Sequence, residues 1–334
     1  MINKISELAK TNLKISDFHL REGSNIAYRV LGEIFQDTSS LIKKGDLEEL
    51  LKKNCTEEEV QNFHKNNELD CAINLADFRF RANFFKTLNG IAAVLRRIVT
   101  KIPSMEELNL PSIMYEIVEA HKGLVLVTGP TGSGKSTTLA AIIGKINELR
   151  PRNIITIEDP VEFIHHDKKS IISQREVGKQ TSSFARALKS ALREDPDVIL
   201  VGEMRDLETI SMALTAAETG HLVLGTLHTS GAPNTINRII DVFPPGQQGQ
   251  IRAQIAESLK MIITQKLIKK KDGTGRVAAF EILTCTPPIK NLIREAKVHQ
   301  IPSVMQTSQK DGMITMEKSI EVLTQSGAIS GAIE

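Results

Sequence analysis

Residues Gly129 to Ser136 read Gly-Pro-Thr-Gly-Ser-Gly-Lys-Ser, which fits the spacing G-x-x-x-x-G-K-[ST]. The apolar run Gly123–Thr128 precedes them, and Lys135 to Ile146 has the composition of a helix, so the pattern sits at a strand-to-helix turn. A bland turn needs one glycine. Here Gly129, Gly132 and Gly134 let backbone amides close on an anion with no Cβ in the way. The helix opening at Lys135 adds free N–H groups and a positive dipole end. Together these point to a phosphate cradle formed by Thr131, Gly132, Ser133, Gly134, Lys135, Ser136 and Thr137. Lys135 is placed to reach the β- and γ-phosphates of ATP and Ser136 to ligate Mg²⁺.

Phosphoryl transfer is mostly positioning and charge neutralisation, so carboxylates are needed for the metal and for the attacking water. Asp197 to Glu203 is a buried-strand pattern that delivers Glu203 at its carboxyl end as the metal-side group. Glu158, Asp159 and Glu162 crowd the end of another apolar run, and such crowding favours a nearby cation. Glu162 is the expected water-orienting residue, with Glu158 and Asp159 in support. His221 and His228 bracket the strand Leu222–Thr226 and read as γ-phosphate or interface sensors; with no third Cys or His beside them they do not form a metal site.

At 334 residues, two domains are expected. Strand and helix patterns alternate after residue 113, at Leu124–Thr128, Ile154–Glu158, Val198–Val201 and Leu222–Thr226, which implies a parallel sheet covered on both faces. Ligands then gather at the carboxyl ends of the strands. Residues 1–101 read as a smaller α+β unit with strands at Ser16–Leu20 and Ile26–Val30, and a helical stretch Leu47–Phe63 broken near Cys55-Thr56 by a capping box. In Phe78–Phe84 the apolar residues alternate with Arg79 and Arg81, which as a bare pattern equally suits a solvated sheet face. Residues 102–112, with Pro103 and Pro111, read as a linker. Gln247–Lys269 reads as one amphipathic helix with Ile251, Ile255, Leu259, Ile262, Ile263 and Leu267 along one side.

Forty-two basic against forty acidic residues leave a net charge of +2. That offers no footprint for nucleic acid, and with no Trp and two Tyr the chain is poorly supplied with stacking platforms. Cys55, Cys71 and Cys285 lie far apart in sequence and read as reduced cytosolic thiols, neither a disulfide frame nor a zinc site. No apolar run approaches the roughly 20 residues of a membrane helix, and the opening MINKISELAKTN lacks a signal-peptide core, so a cytosolic protein is expected.

The runs GLVLVTGPTGSGKSTTLAAII, TIEDPVEF, ALKSALREDPDVILVGEMRD and AAETGHLVLGTLHT together resemble the ATPases of type IV pili and type II secretion, and among these the pilus-retraction ATPases. SDFHLREG, GRVAAFEIL and NLIRE extend the likeness over nearly the whole chain. The resemblance implies a RecA-like P-loop ATPase domain behind a PAS-like N-terminal domain, working as a homohexamer on an inner-membrane platform protein. It makes Gly129–Thr137 and Asp197–Glu203 the Walker A and B segments, and it puts Arg81 and Arg96 at the nucleotide as charge clamps, with Arg79 and Arg97 close enough to be confused with them. One departure is visible: Pro288-Ile289-Lys290-Asn291 stands where the family usually has Ala-Ile-Arg-Asn. The alternatives are an assembly or secretion ATPase of the same family, a nucleic-acid translocase, and a non-catalytic nucleotide-gated scaffold.

Overall fold

In the computed structural model, which describes residues 1–12, 15–30, 32–76, 78–98 and 102–330, the chain divides into two units, Met1–Lys101 and Ile102–Glu334. The first runs α1 (Ile2–Thr11), β1 (Ile15–Arg21), β2 (Asn25–Val30), β3 (Glu33–Leu41), α2 (Asp46–Asn54), α3 (Glu57–Asn66), β4 (Glu68–Leu75), β5 (Phe78–Thr87) and β6 (Gly90–Ile98). Its strands form one antiparallel sheet in the order β3-β2-β1-β6-β5-β4. The break between α2 and α3 is chemical. Thr56 and Glu59 close a reciprocal cap, the Glu59 amide donating to the Thr56 hydroxyl and the Thr56 amide to the Glu59 carboxylate.

Alternation along the strands sorts the sheet's two faces. Phe18, Phe80, Ala82, Phe84 and Leu95 pack with Ile5, Leu47, Leu50, Leu51 and Phe63 of the three helices. Each Phe, Leu or Ile among them contributes about 1.5–3 kcal/mol on burial. The opposite face carries Arg81, paired in register with Arg96, which is paired in turn with Asp17. The same register separates the arginines that the sequence leaves confusable. Arg97 lies opposite Phe80 on the core side, its guanidinium 4.3 Å from the Phe78 ring centroid and donating to the Ala9 carbonyl, which is a packing role. Arg79 shares the face of Arg81 but is half-buried.

The second unit contains α4 (Tyr115–Glu119), β7 (Gly123–Thr128), α5 (Lys135–Leu149), β8 (Asn153–Glu158), β9 (Ile171–Glu176), α6 (Phe184–Ala191), β10 (Val198–Val201), α7 (Leu207–Glu218), β11 (Leu222–Leu227), α8 (Ala232–Asp241), α9 (Gln248–Ser258), β12 (Leu259–Lys269), β13 (Arg276–Thr284), α10 (Pro287–Arg294), α11 (Ile301–Thr307) and α12 (Met316–Gln325). The sheet order is β13-β12-β7-β11-β10-β8-β9, parallel except for β13 at one edge. Both faces are covered. Leu124 and Leu126 of β7 join one apolar layer with α7 and α9, while Val125 and Val127 join the other with α4 and α5.

Two stretches differ from expectation. Gln247–Lys269 is not a single helix: α9 stops at Ser258 and residues 259–269 are β12, hydrogen-bonded parallel to β7 and antiparallel to β13. A strand buried on both faces is apolar at most positions, so its sequence also satisfies helical spacing. The segment read as a linker is packed into the second unit, with Met105 fully buried and Leu110 nearly so. Its first neighbours, Thr100 and Lys101, lie outside the described residues.

Candidate active site

The turn after β7 is shaped by its neighbour β12. A Cβ on Gly129 would collide with the main-chain oxygen of Gln265, and one on Gly134 would stand 2.7 Å from the Gln265 side-chain nitrogen. Both glycines also have positive φ, 138° and 91°, so any other residue there is strained as well as crowded. Gln265 is buried and accepts the Thr138 hydroxyl at 2.7 Å, while Thr128 and Thr264 share a buried hydroxyl contact at 3.0 Å. The loop is thereby moored at both ends. Ser133 is buried beneath it and does not line the cleft above.

That cleft, about 400 Å³, lies at the carboxyl ends of the parallel strands and gathers Thr131, Gly132, Gly134, Lys135, Ser136 and Thr137 with Glu162, Glu203 and His228. Lys135 is 9% exposed and donates from Nζ to the carbonyls of Gly129 at 2.8 Å and Pro130 at 3.1 Å. Burial pulls its pKa down, and the charges of Glu203 and Glu162 oppose the shift. A larger cavity, about 590 Å³, opens at the other end of the sheet beside Gly123, Leu259 and Lys260, and Lys290 of the Pro288–Asn291 segment is part of its lining.

Glu203 follows β10 and Gly202. Its Oε1 lies 2.5 Å from Arg205 Nε and 3.3 Å from His228 Nε2. Burial alone would raise this carboxyl, but the hydrogen bond from Arg205 and the charges of His228 and Arg205 outweigh it and hold the group below the ordinary carboxylate range. Thr226 stitches β11 to the same turn, its hydroxyl donating to the Gly202 carbonyl at 2.5 Å and its carbonyl accepting the Met204 amide. After β8, Val161 and Phe163 turn inward, so Glu162 between them is exposed to the cleft. Glu158 and Asp159 also line the cleft; Glu158 accepts from Thr156 at 2.6 Å and Gln174 at 3.2 Å, and burial pushes its carboxyl up.

His221 is a correction. It precedes β11, its carbonyl accepting the amide of Gly123 at the start of β7, whereas the phosphate loop follows Thr128 at the far end. The six residues of β11 lie between the two histidines, which puts them roughly 23 Å apart at about 3.3 Å per step. Only His228 reaches the cleft; the His221 ring Nδ1 lies 3.0 Å from the Ala216 carbonyl. Arg81 and Arg96 belong to the first unit, where they sit against Asp70 at 3.5 Å and Asp17 at 2.9 Å. Arg205, Leu267, Arg276 and Phe184 also line the cleft and are not among the site residues expected from sequence, although Arg205 stands only two positions beyond Glu203.

The residues fit a nucleotide with its metal. Gly132 and Gly134 line the cleft without a side chain, and the Ser136 hydroxyl and Glu203 carboxylate are hard oxygen donors of the kind Mg²⁺ takes alongside phosphate and water.

A family model described as "Type II/IV secretion system protein" matches residues 61–329. The chain belongs to that family. A "Twitching motility protein" of Neisseria gonorrhoeae is 58% identical to this secretion-family chain over 269 residues, covering 80% of it and 72% of the relative. The "Type IV pilus retractation ATPase PilT" of Pseudomonas aeruginosa is 46% identical over 329 residues, covering 98% and 95%. A crystal structure of "the Pilus Retraction Motor PilT and Bound ADP" matches with a TM-score of 0.92 at 45% identity, over 99% of this chain and 94% of that one. This member of the secretion family is an ATPase of the PilT type, with the α/β fold and smaller N-terminal α+β domain expected from its sequence. Among the described residues no helix is long and apolar enough to cross a membrane.

Proposed function

We propose that the chain is a Mg-ATP-driven motor that powers type IV pilus retraction, acting as a cytoplasmic homohexamer on an inner-membrane platform protein. The observation that carries this reading is the meeting of Lys135, Ser136, Glu162, Glu203 and His228 at one cleft in a PilT-type ATPase. Bound ATP with Mg²⁺ supplies the phosphoanhydride bond and the charge neutralisation its hydrolysis requires. Lys135 turns its ammonium toward the phosphates, and the Ser136 hydroxyl and Glu203 hold the metal side. Glu162 accepts the proton of the attacking water or orients it. His228 fixes the Glu203 carboxylate. Arg81 and Arg96, on one sheet face of the first unit, add positive charge to the phosphates of a neighbouring subunit's nucleotide.

The test is a comparison of purified wild-type and Glu162→Gln protein. The variant is expected to retain ATP and turn it over at least tenfold more slowly, and a strain carrying it should lose pilus retraction. Wild-type turnover in Glu162→Gln would remove that residue from the chemistry. Sizing the protein with and without a non-hydrolysable ATP analogue tests the ring, and a monomer under both conditions would exclude it.

A further inference from the structure

The cysteines are widely spaced in sequence but not in space. The Sγ atoms of Cys55 and Cys71 lie 3.4 Å apart, although 16 positions separate the residues. Cys55 caps the carboxyl end of α2 in extended conformation, immediately before the Thr56 cap of α3, and is partly exposed. Cys71 is buried on β4, the edge strand of the first sheet, beside Ala82 of β5. A disulfide needs about 2.05 Å between sulfurs, so an approach of about 1.4 Å closes the gap.

We propose that Cys55 and Cys71 form a peroxide-responsive dithiol that closes one intramolecular disulfide inside the N-terminal unit. The partly exposed Cys55 reacts first. Its thiolate attacks one oxygen of hydrogen peroxide, the O–O bond breaks, and the departing hydroxide takes the thiol proton and leaves as water; Cys55 is then a sulfenic acid. The Cys71 thiolate attacks Cys55 Sγ, the S–O bond breaks, and a second hydroxide leaves as water with the Cys71 proton. The two sulfurs lose two electrons and the peroxide gains them. Cys285 is set apart from this chemistry because it belongs to the second unit, beside Lys290, Arg294 and Glu257, where burial pushes its thiol up to about 12. The bond would strap the α2–α3 corner to the open edge of the sheet, one residue from Ala72, the register partner of Arg81.

The experiment uses the full chain, reduced and then exposed to hydrogen peroxide, with remaining thiols blocked by N-ethylmaleimide before digestion without reductant. The blockable thiols should fall from three to one, mass spectrometry should find a peptide joining Cys55 to Cys71, and dithiothreitol should restore all three. Sulfinic acid at Cys55 without linkage, disulfide-linked dimers, or thiols left intact at a peroxide concentration that fully oxidises free glutathione would each overturn the proposal. The linkage map is read on the wild-type chain, so it holds even where Cys71→Ser fails to fold. Cys55→Ser, at the more exposed position, should abolish the linked peptide.

Discussion

The hydroxyl of Thr138 donates to the buried side-chain oxygen of Gln265 at 2.7 Å, tying the first turns of α5 to β12 directly behind the phosphate loop. Gln265→Leu leaves that hydroxyl without its acceptor, which costs about 1–3 kcal/mol. It also frees the turn at Gly134. Urea denaturation should show the lost stability, and titration with a fluorescent ADP analogue should show weaker binding. Unchanged nucleotide affinity would mean that the loop holds its shape without this anchor.

Lys135→Ala removes the one lysine that lines the cleft among the described residues. Hydrolysis should fall by about 10²–10³-fold, the scale of deleting a group that stabilises developing charge. Phosphate release at saturating Mg-ATP is the measurement, with circular dichroism to establish that the fold persists.

Arg205 holds Glu203 ionised to lower pH than an ordinary carboxylate. A depressed folded-state pKa contributes stability above the unfolded value and loses it as pH falls through the folded one. Arg205→Ala should therefore move the acid limb of the kcat/KM profile to higher pH and make the protein less tolerant of mild acid. An acid limb that stays in place would show that His228 alone sets the charge of Glu203.

Glu158 has the opposite sign, because burial raises its carboxyl despite the donors Thr156 and Gln174. The folded state then binds protons the unfolded chain has released, and stability declines as pH rises from the ordinary carboxylate value through the raised one. Glu158→Gln should flatten that decline, most visibly as a higher denaturation midpoint at neutral pH than the parent. The two proteins should converge in mild acid.

Mixing inactive Lys135→Ala subunits with inactive Arg81→Ala subunits should restore part of the ATPase activity, if arginines serve a neighbour's nucleotide. No recovery at any ratio would place the action of Arg81 within its own chain.

Local chemistry made much of this legible in advance. The phosphate loop, the strand-borne Glu203 and the Thr56–Glu59 cap are each written in a few consecutive residues, and each is where the sequence indicates. What escaped depends on partners distant in the chain. Gln265 leaves no signal, since one amide within an apolar run says nothing about which glycine turn it faces. His221 and His228 bracket one strand in sequence, and the parallel register with β7 sets His228 at the end beside Thr128 and His221 at the end beside Gly123. Polar edge strands such as β3 lack the apolar alternation that marks a half-buried strand. The Cys55–Cys71 contact arises because β4 returns past the α2–α3 corner.

The β12–β13 ribbon has a mechanical meaning. Its outer rim is joined to the sheet through β12 alone, and β12 is the strand whose main chain crowds Gly129 and whose amide grips Thr138. On the proposed reading, a tug on the hairpin tip near Gly273 would pass along this extended, hydrogen-bonded ribbon to the turn after Thr128. External load and the grip on nucleotide would then share the same few ångströms of backbone.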